Sequence, residues 1–128
     1  MNLTLLGIEK DGLVKVATEG NITGSSVPAG GDNPLTKVLG PSWNTMHVLM
    51  DMSDTAYIDS SAIGWLIATS KQLKAGGGHL VVYGVQPGVR QVLDLLKVGR
   101  VVPIVDDEAA GRQVLTAEGG GGTTATTV

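Results

Sequence analysis

The order of patterns along the chain predicts a single α/β domain: a mixed, mostly parallel sheet opened by a β-hairpin, with amphipathic helices packed mainly on one face. Three observations carry this. Two β-like runs at the N-terminus flank Glu9-Lys10-Asp11-Gly12, a turn signal. The run Met46-His47-Val48-Leu49-Met50-Asp51-Met52 is almost unbroken in its apolar character and suits a central strand buried on both faces. Beyond it, strand-like segments alternate with amphipathic helical ones, which calls for right-handed crossovers and parallel pairing. A length of 128 residues suits one core.

Residues 3–8 and 13–18 form the hairpin, the second strand alternating apolar and polar side chains so that one of its faces is buried. Residues 20–34 are rich in Gly, Ser, Asn and Pro and read as a long loop. A short helix over 35–39 ends at Gly40-Pro41. After the central strand comes a polar segment, and then a helical period. Ile63, Leu66, Ile67, Ser70 and Leu73 fall at i, i+3, i+4 spacing, and Lys71, Lys74 and Gly76-Gly77-Gly78 mark the stop. Leu80-Val81-Val82-Tyr83 is another buried strand. Pro87 opens a helix with the stripe Val89, Val92, Leu93, Leu96, stopped by Gly99. Residues 101–105 form a last short strand. Asp106-Asp107-Glu108 place acids at the start of a final helix with Ala110, Val114 and Ala117 on its inner face. The domain is expected to span 1–118, and the Gly/Thr-rich stretch 119–128 to be a flexible tail.

Composition removes several function classes. There is no cysteine, so disulfides, thiolate catalysis and Cys-based zinc sites are excluded. A net charge of −3 without a Lys/Arg cluster gives no footprint for nucleic acid or an anionic membrane. No apolar run approaches the ~20 residues that span a bilayer, and Met1-Asn2-Leu3-Thr4 does not open a signal peptide. A soluble, cytoplasmic protein is expected. No Walker sequence or complete Gly-x-Gly-x-x-Gly unit is present to cradle nucleotide phosphates. Ser60 does not stand in a Gly-x-Ser-x-Gly elbow. His47 and His79, isolated on predicted strands, read as structural residues.

The informative segment runs Asp51-Met52-Ser53-Asp54-Thr55-Ala56-Tyr57-Ile58-Asp59-Ser60-Ser61-Ala62-Ile63-Gly64. It leaves the carboxyl end of a buried strand and enters a helix, the rim where ligands and partners meet α/β sheets. Asp59 or Ser60 caps the helix through its side-chain oxygen. Trp65 lies off the Ile63/Leu66/Ile67 stripe, toward the face of Ser61 and Thr69. It reads either as a partner anchor or as a residue packed beneath the long loop or a neighbouring helix.

This segment resembles the signature loop of STAS domains. There an aspartate ends the strand, an apolar residue shortly precedes a second aspartate, and Asp-Ser-Ser/Thr-Gly-Leu-Gly opens a helix. Lys71-Gln72-Leu73-Lys74-Ala75-Gly76-Gly77, Pro87-Gly88-Val89-Arg90-Gln91-Val92-Leu93 and Val102-Pro103-Ile104-Val105-Asp106-Asp107-Glu108-Ala109 are similar to that family as well, so the likeness covers about residues 45–115. Ala62 stands where the family usually has Gly. Gly20-Asn21-Ile22-Thr23 keeps the glycine of Gly-Glu-Leu-Asp without either acid.

The resemblance implies a STAS-like fold and carries the family's phosphorylated serine over to Ser60, with Ser61 at the second hydroxyl position. Asp51, Ser53, Asp54, Asp59, Ser61 and Trp65 are the accompanying switch-loop and partner-binding candidates. The implied function is that of an anti-sigma factor antagonist, a binding module and not an enzyme. Unphosphorylated, it binds a cognate anti-sigma factor that is also a serine kinase, and so releases a sigma factor; a phosphatase resets it. No cofactor or metal is implied, and the expected state is a monomer or weak homodimer without nucleic acid or membrane insertion. Alternative roles within the resemblance are a scaffold subunit of a larger signalling assembly, an accessory subunit of a lipid transporter, and a small-ligand sensor.

Overall fold

Alternation along the second strand sets the first packing face of the sheet. In the computed structural model of the protein, which describes residues 2–9, 12–23 and 33–119, β1 (Asn2–Ile8) pairs antiparallel with β2 (Leu13–Glu19). β2 sends Val14, Val16 and Thr18 to one side, all fully buried. β3 (His47–Asp54) runs parallel to β2, β4 (His79–Tyr83) parallel to β3, and the two-residue β5 (Ile104–Val105) parallel to β4. The order β1-β2-β3-β4-β5 puts the long apolar run at the centre, as its composition requires.

A strand buried on both faces needs cover on both. α1 (Leu35–Leu39), α2 (Ser60–Gly76) and α3 (Pro87–Leu95) supply the first. Leu35, Ile63, Leu66, Leu73, Val89 and Leu93 pack with Val14, Val16, Val48, Met50, Met52, Leu80 and Val82. α4 (Glu108–Gly119) covers the other face, Leu115 meeting Leu13, Leu49, Val81 and Tyr83. Three helices thus share one face, as expected, and the fourth crosses the sheet. Its buried positions are Gly111 and Leu115, one residue on from the expected Ala110 and Val114, which are half-buried; the side chain of Ala117 lies outside the description. A Cβ at Gly111 would stand 2.5 Å from Leu49 Cδ1, so glycine is what lets the helix approach the sheet this closely.

Charges fasten α4 to the hairpin. Arg112 holds Glu9 through two nitrogens and Glu108 through Nε (2.8 Å), and Lys15 Nζ reaches Glu108 at 3.3 Å. The Arg112 hydrogen bonds keep both carboxyls below the usual glutamate range. These pairs are half-exposed, so their effect is on the placement of α4 more than on stability.

Two expectations change. α3 stops at Leu95 and not at Gly99, because Lys97 takes a left-handed conformation (φ 57°) and the chain closes into a short 3-10 helix over Val98–Arg100. The strand expected over 101–105 shrinks to Ile104–Val105. Val101 and Val102 donate their N–H groups to Val98 O, making turns where a ladder was expected, and Val98 and Val102 fill the core from there. The tail beyond Gly119 and the middle of the long loop, 24–32, lie outside the described residues. Among the described residues no helix is long and apolar enough to cross a membrane.

His47 and His79 are not isolated. They are register partners on β3 and β4, their rings stacked with centroids 5.4 Å apart, and the two Nδ1 atoms are 3.4 Å apart. Partial burial, and secondly the neighbouring ring, hold the His47 pKa below the ordinary histidine value. A folded-state pKa below the unfolded one means that the unfolded chain takes the proton first, so stability is complete above about pH 6.5 and declines as pH falls below it. The melting temperature is therefore expected to drop between about pH 7.5 and about pH 5.5, and His47→Asn to flatten that slope. An unchanged slope in the variant would assign the acid sensitivity to the carboxylates instead.

Candidate functional site

The loop from β3 to α2 grows out of the point where the central strand meets solvent. Asp51 is the first polar residue after the apolar stretch Val48–Met50. It pairs in register with Tyr83, and its Oδ1 accepts the Ser53 N–H at 2.8 Å. Burial, with the Asp51 charge second, pushes the Tyr83 phenol up to about 12. Gly84, at φ +71°, leaves the room: a Cβ there would sit 3.0 Å from Asp51 Oδ1. The Ser53 carbonyl accepts Gln86 Nε2 at 2.8 Å, so the residue before α3 holds the start of the loop.

The loop is then pinned to the segment after β2. Thr18 and Thr55, both fully buried, share a hydroxyl hydrogen bond of 2.7 Å. The Asp54 carbonyl accepts Gly20 N–H at 3.2 Å, the Tyr57 carbonyl accepts Ile22 N–H at 3.0 Å, and the Ile22 carbonyl accepts Asp59 N–H at 3.2 Å. Ile22 and Ile58 form a parallel bridge, and both side chains are in the core. Gly20-Asn21-Ile22-Thr23, read from sequence as the start of a loop, is a frame for this site.

Asp59, in extended conformation (φ −112°), caps α2, its Oδ1 accepting Ala62 N–H at 3.0 Å. Ser60 is the first helical residue and Ser61 the second, and both are exposed. Ser53 and Asp54 are exposed as well, while Asp51 and Asp59 are partly covered. The end of β3, the loop and the first turn of α2 thus carry six of the seven candidates. Trp65 is the exception. At 8% exposure it belongs to the core cluster, so it is packed and does not stand out as a surface anchor. Tyr57, half exposed in the same loop, is the aromatic at its surface, and its place directly before Ile58-Asp59-Ser60 is the sequence signal for it.

Gly84→Ala is expected to cost about 1–3 kcal/mol, from the left-handed backbone and the approach of its Cβ to Asp51. Urea unfolding of the single variants and of Gly84→Ala with Asp51→Ala measures it, since removing the carboxylate relieves the second effect only. A neutral Gly84→Ala would show that the neighbourhood yields without strain.

The STAS domain family model matches residues 8–111, from the end of β1 into α4, with the whole loop inside it. An anti-sigma F factor antagonist of Paenibacillus polymyxa is 29% identical over 62 residues, which is 48% of this chain and 53% of that protein. The match therefore spans about half the length of that relative. The crystal structure of an anti-sigma factor antagonist from Mycobacterium paratuberculosis superposes with a TM-score of 0.67 at 21% identity, over 89% of this chain and 94% of that one. The phosphorylated form of the Bacillus cell fate determinant SpoIIAA gives 0.58 at 16% identity, over 88% and 99%. At these identities the two structures speak for the fold. With its five-stranded mixed sheet, its helices and the family match over most of its length, the chain belongs to the STAS domain family.

Proposed function

We propose that the protein is a phosphorylation-switched binding module, an anti-sigma factor antagonist with Ser60 as its switch. The observation that carries this reading is the division of labour at the start of α2: Asp59 caps the helix, and Ser60 beside it is exposed. The hydroxyl is thus open to a kinase at a place where backbone N–H groups and the helix dipole favour an anion. The name of the Paenibacillus polymyxa relative supports the antagonist role.

In this reading the unphosphorylated domain binds an anti-sigma factor that is also a serine kinase, and so releases a sigma factor in the cytoplasm. The kinase brings ATP and transfers its terminal phosphoryl group to Ser60 Oγ. A phosphatase restores the hydroxyl. The phosphate brings about −1.5 to −2 charges to a rim that already carries Asp51, Asp54 and Asp59. A partner surface packed against the small hydroxyl loses that fit and meets an unpaired charge, while the helix start accommodates the group. Modification therefore acts on binding and leaves the fold intact.

Incubation with the cognate kinase and ATP is expected to add one phosphate, at Ser60, and Ser60→Ala to abolish labelling. Because Asp59 is the cap, that variant should melt within about 0.5 kcal/mol of the parent. Label that persists in Ser60→Ala and maps to Ser61 or a threonine would refute the assignment. Ser60→Asp should keep its stability and lose a hundredfold or more in affinity for the kinase by titration calorimetry, about 2.7 kcal/mol. Undiminished binding by Ser60→Asp would place the switch elsewhere.

A further inference from the structure

We propose that β1 is a self-association edge, through which two copies of this chain pair antiparallel across a twofold axis. The sheet has two edges, and they differ. β5 offers only Ile104–Val105, and brevity is one of the ordinary ways in which an edge is blunted. β1 runs for seven residues, Asn-Leu-Thr-Leu-Leu-Gly-Ile, without a charge or a proline to deter a partner strand. Among the described residues nothing pairs with its outer side.

The side chains point the same way. Leu5, Leu6 and Ile8 are 39%, 49% and 65% exposed, the only such group of large apolar residues on a strand among the described residues. Leu5 and Ile8 stand opposite Val16 and Val14, on the sheet face that α1 and α2 cover further in. A second copy suits this surface better than an unrelated partner does. An edge strand offers the same row of donors and acceptors to its own twofold image, the apolar strip meets itself, and an uncharged strand sets no like charges opposite each other.

The area decides the strength. Three side chains about half exposed give on the order of 500 Å² of apolar surface from the two copies, and the strand edges bring the total near 1,000 Å², the low end for a specific interface. The register shift between Leu5 and Gly7 falls inside this strip and interrupts the ladder there. The dimer is therefore weak, with a Kd above about 1 µM. The interface lies two strands away from β3 and the loop that follows it.

Sedimentation velocity of the full chain from about 5 µM to about 1 mM brackets that range. The expected result is an apparent mass rising from one chain toward two, with amide exchange in residues 2–8 slowing in parallel on the unmodified protein. Leu6→Lys with Ile8→Lys should hold the chain monomeric, while Leu95→Lys with Leu96→Lys, at the other exposed apolar pair, should leave the dimer intact. A single-chain mass at every concentration overturns the proposal. So does a dimer whose β1 amides exchange unchanged, or one lost only in the Leu95/Leu96 variant.

Discussion

The burial of β3 on both faces is the constraint from which the rest of this domain follows. Val48, Met50 and Met52 point to one side and Leu49 to the other, all fully buried. Each such side chain contributes about 1.5–3 kcal/mol if water is excluded from it. Cover on one face alone would leave Leu49 and Val81 wet. That is why a fourth helix crosses to the far side, and a glycine at 111 suits its close approach to Leu49. Between His47 at its start and the place where it leaves this double cover, the strand carries no polar residue. Asp51 is the next, and every other residue of the proposed switch follows it within ten positions.

The same constraint makes the loop after β3 a fixed platform. Its beginning is tied to Gln86 ahead of α3, its middle to Thr18 on β2 and to Gly20 and Ile22 after it, and its end to the cap of α2. The buried Thr18–Thr55 pair satisfies two hydroxyls that would otherwise each cost about 1–3 kcal/mol in the interior. A surface presented on such a frame loses little entropy when a partner docks, which favours binding by shape over binding by folding.

Much of this was legible in the sequence because it is local. Period and punctuation mark the hairpin, the central strand and α2, and narrow its cap to Asp59 or Ser60, since alternation, stripes and glycine stops act over a few residues. What was hidden depends on residues far apart. His47 and His79 are 32 positions apart and become neighbours only through parallel register. Arg112 and Glu9 are separated by 103. Ile22 was lost in a Gly-rich stretch because a single buried residue has no period. The inner face of α4 was misjudged because its closest contact is made by a glycine, which carries no hydrophobic signal. Trp65 remained open between surface and core, since a position off one stripe can still be covered from another side.

The proposed switch has to alter affinity without altering the fold, and the order Asp59-Ser60 suits both demands. If the serine itself were the cap, phosphorylation would replace the hydroxyl that accepts a backbone N–H, and the change would be felt in the first turn of α2. That turn leads directly into Ala62, Ile63, Trp65 and Leu66, all in the core. With the aspartate as cap, the N–H of Ala62 keeps its acceptor whatever the state of Ser60. The like charges of Asp59 and a phosphate repel, but both face the positive end of the helix, which offsets part of that repulsion. The remaining charge points to solvent, where water and salt screen it in the free domain. In the proposed switch it would be felt at full strength only where a partner surface excludes that water, so the fold would stay nearly indifferent to the modification while the complex would not.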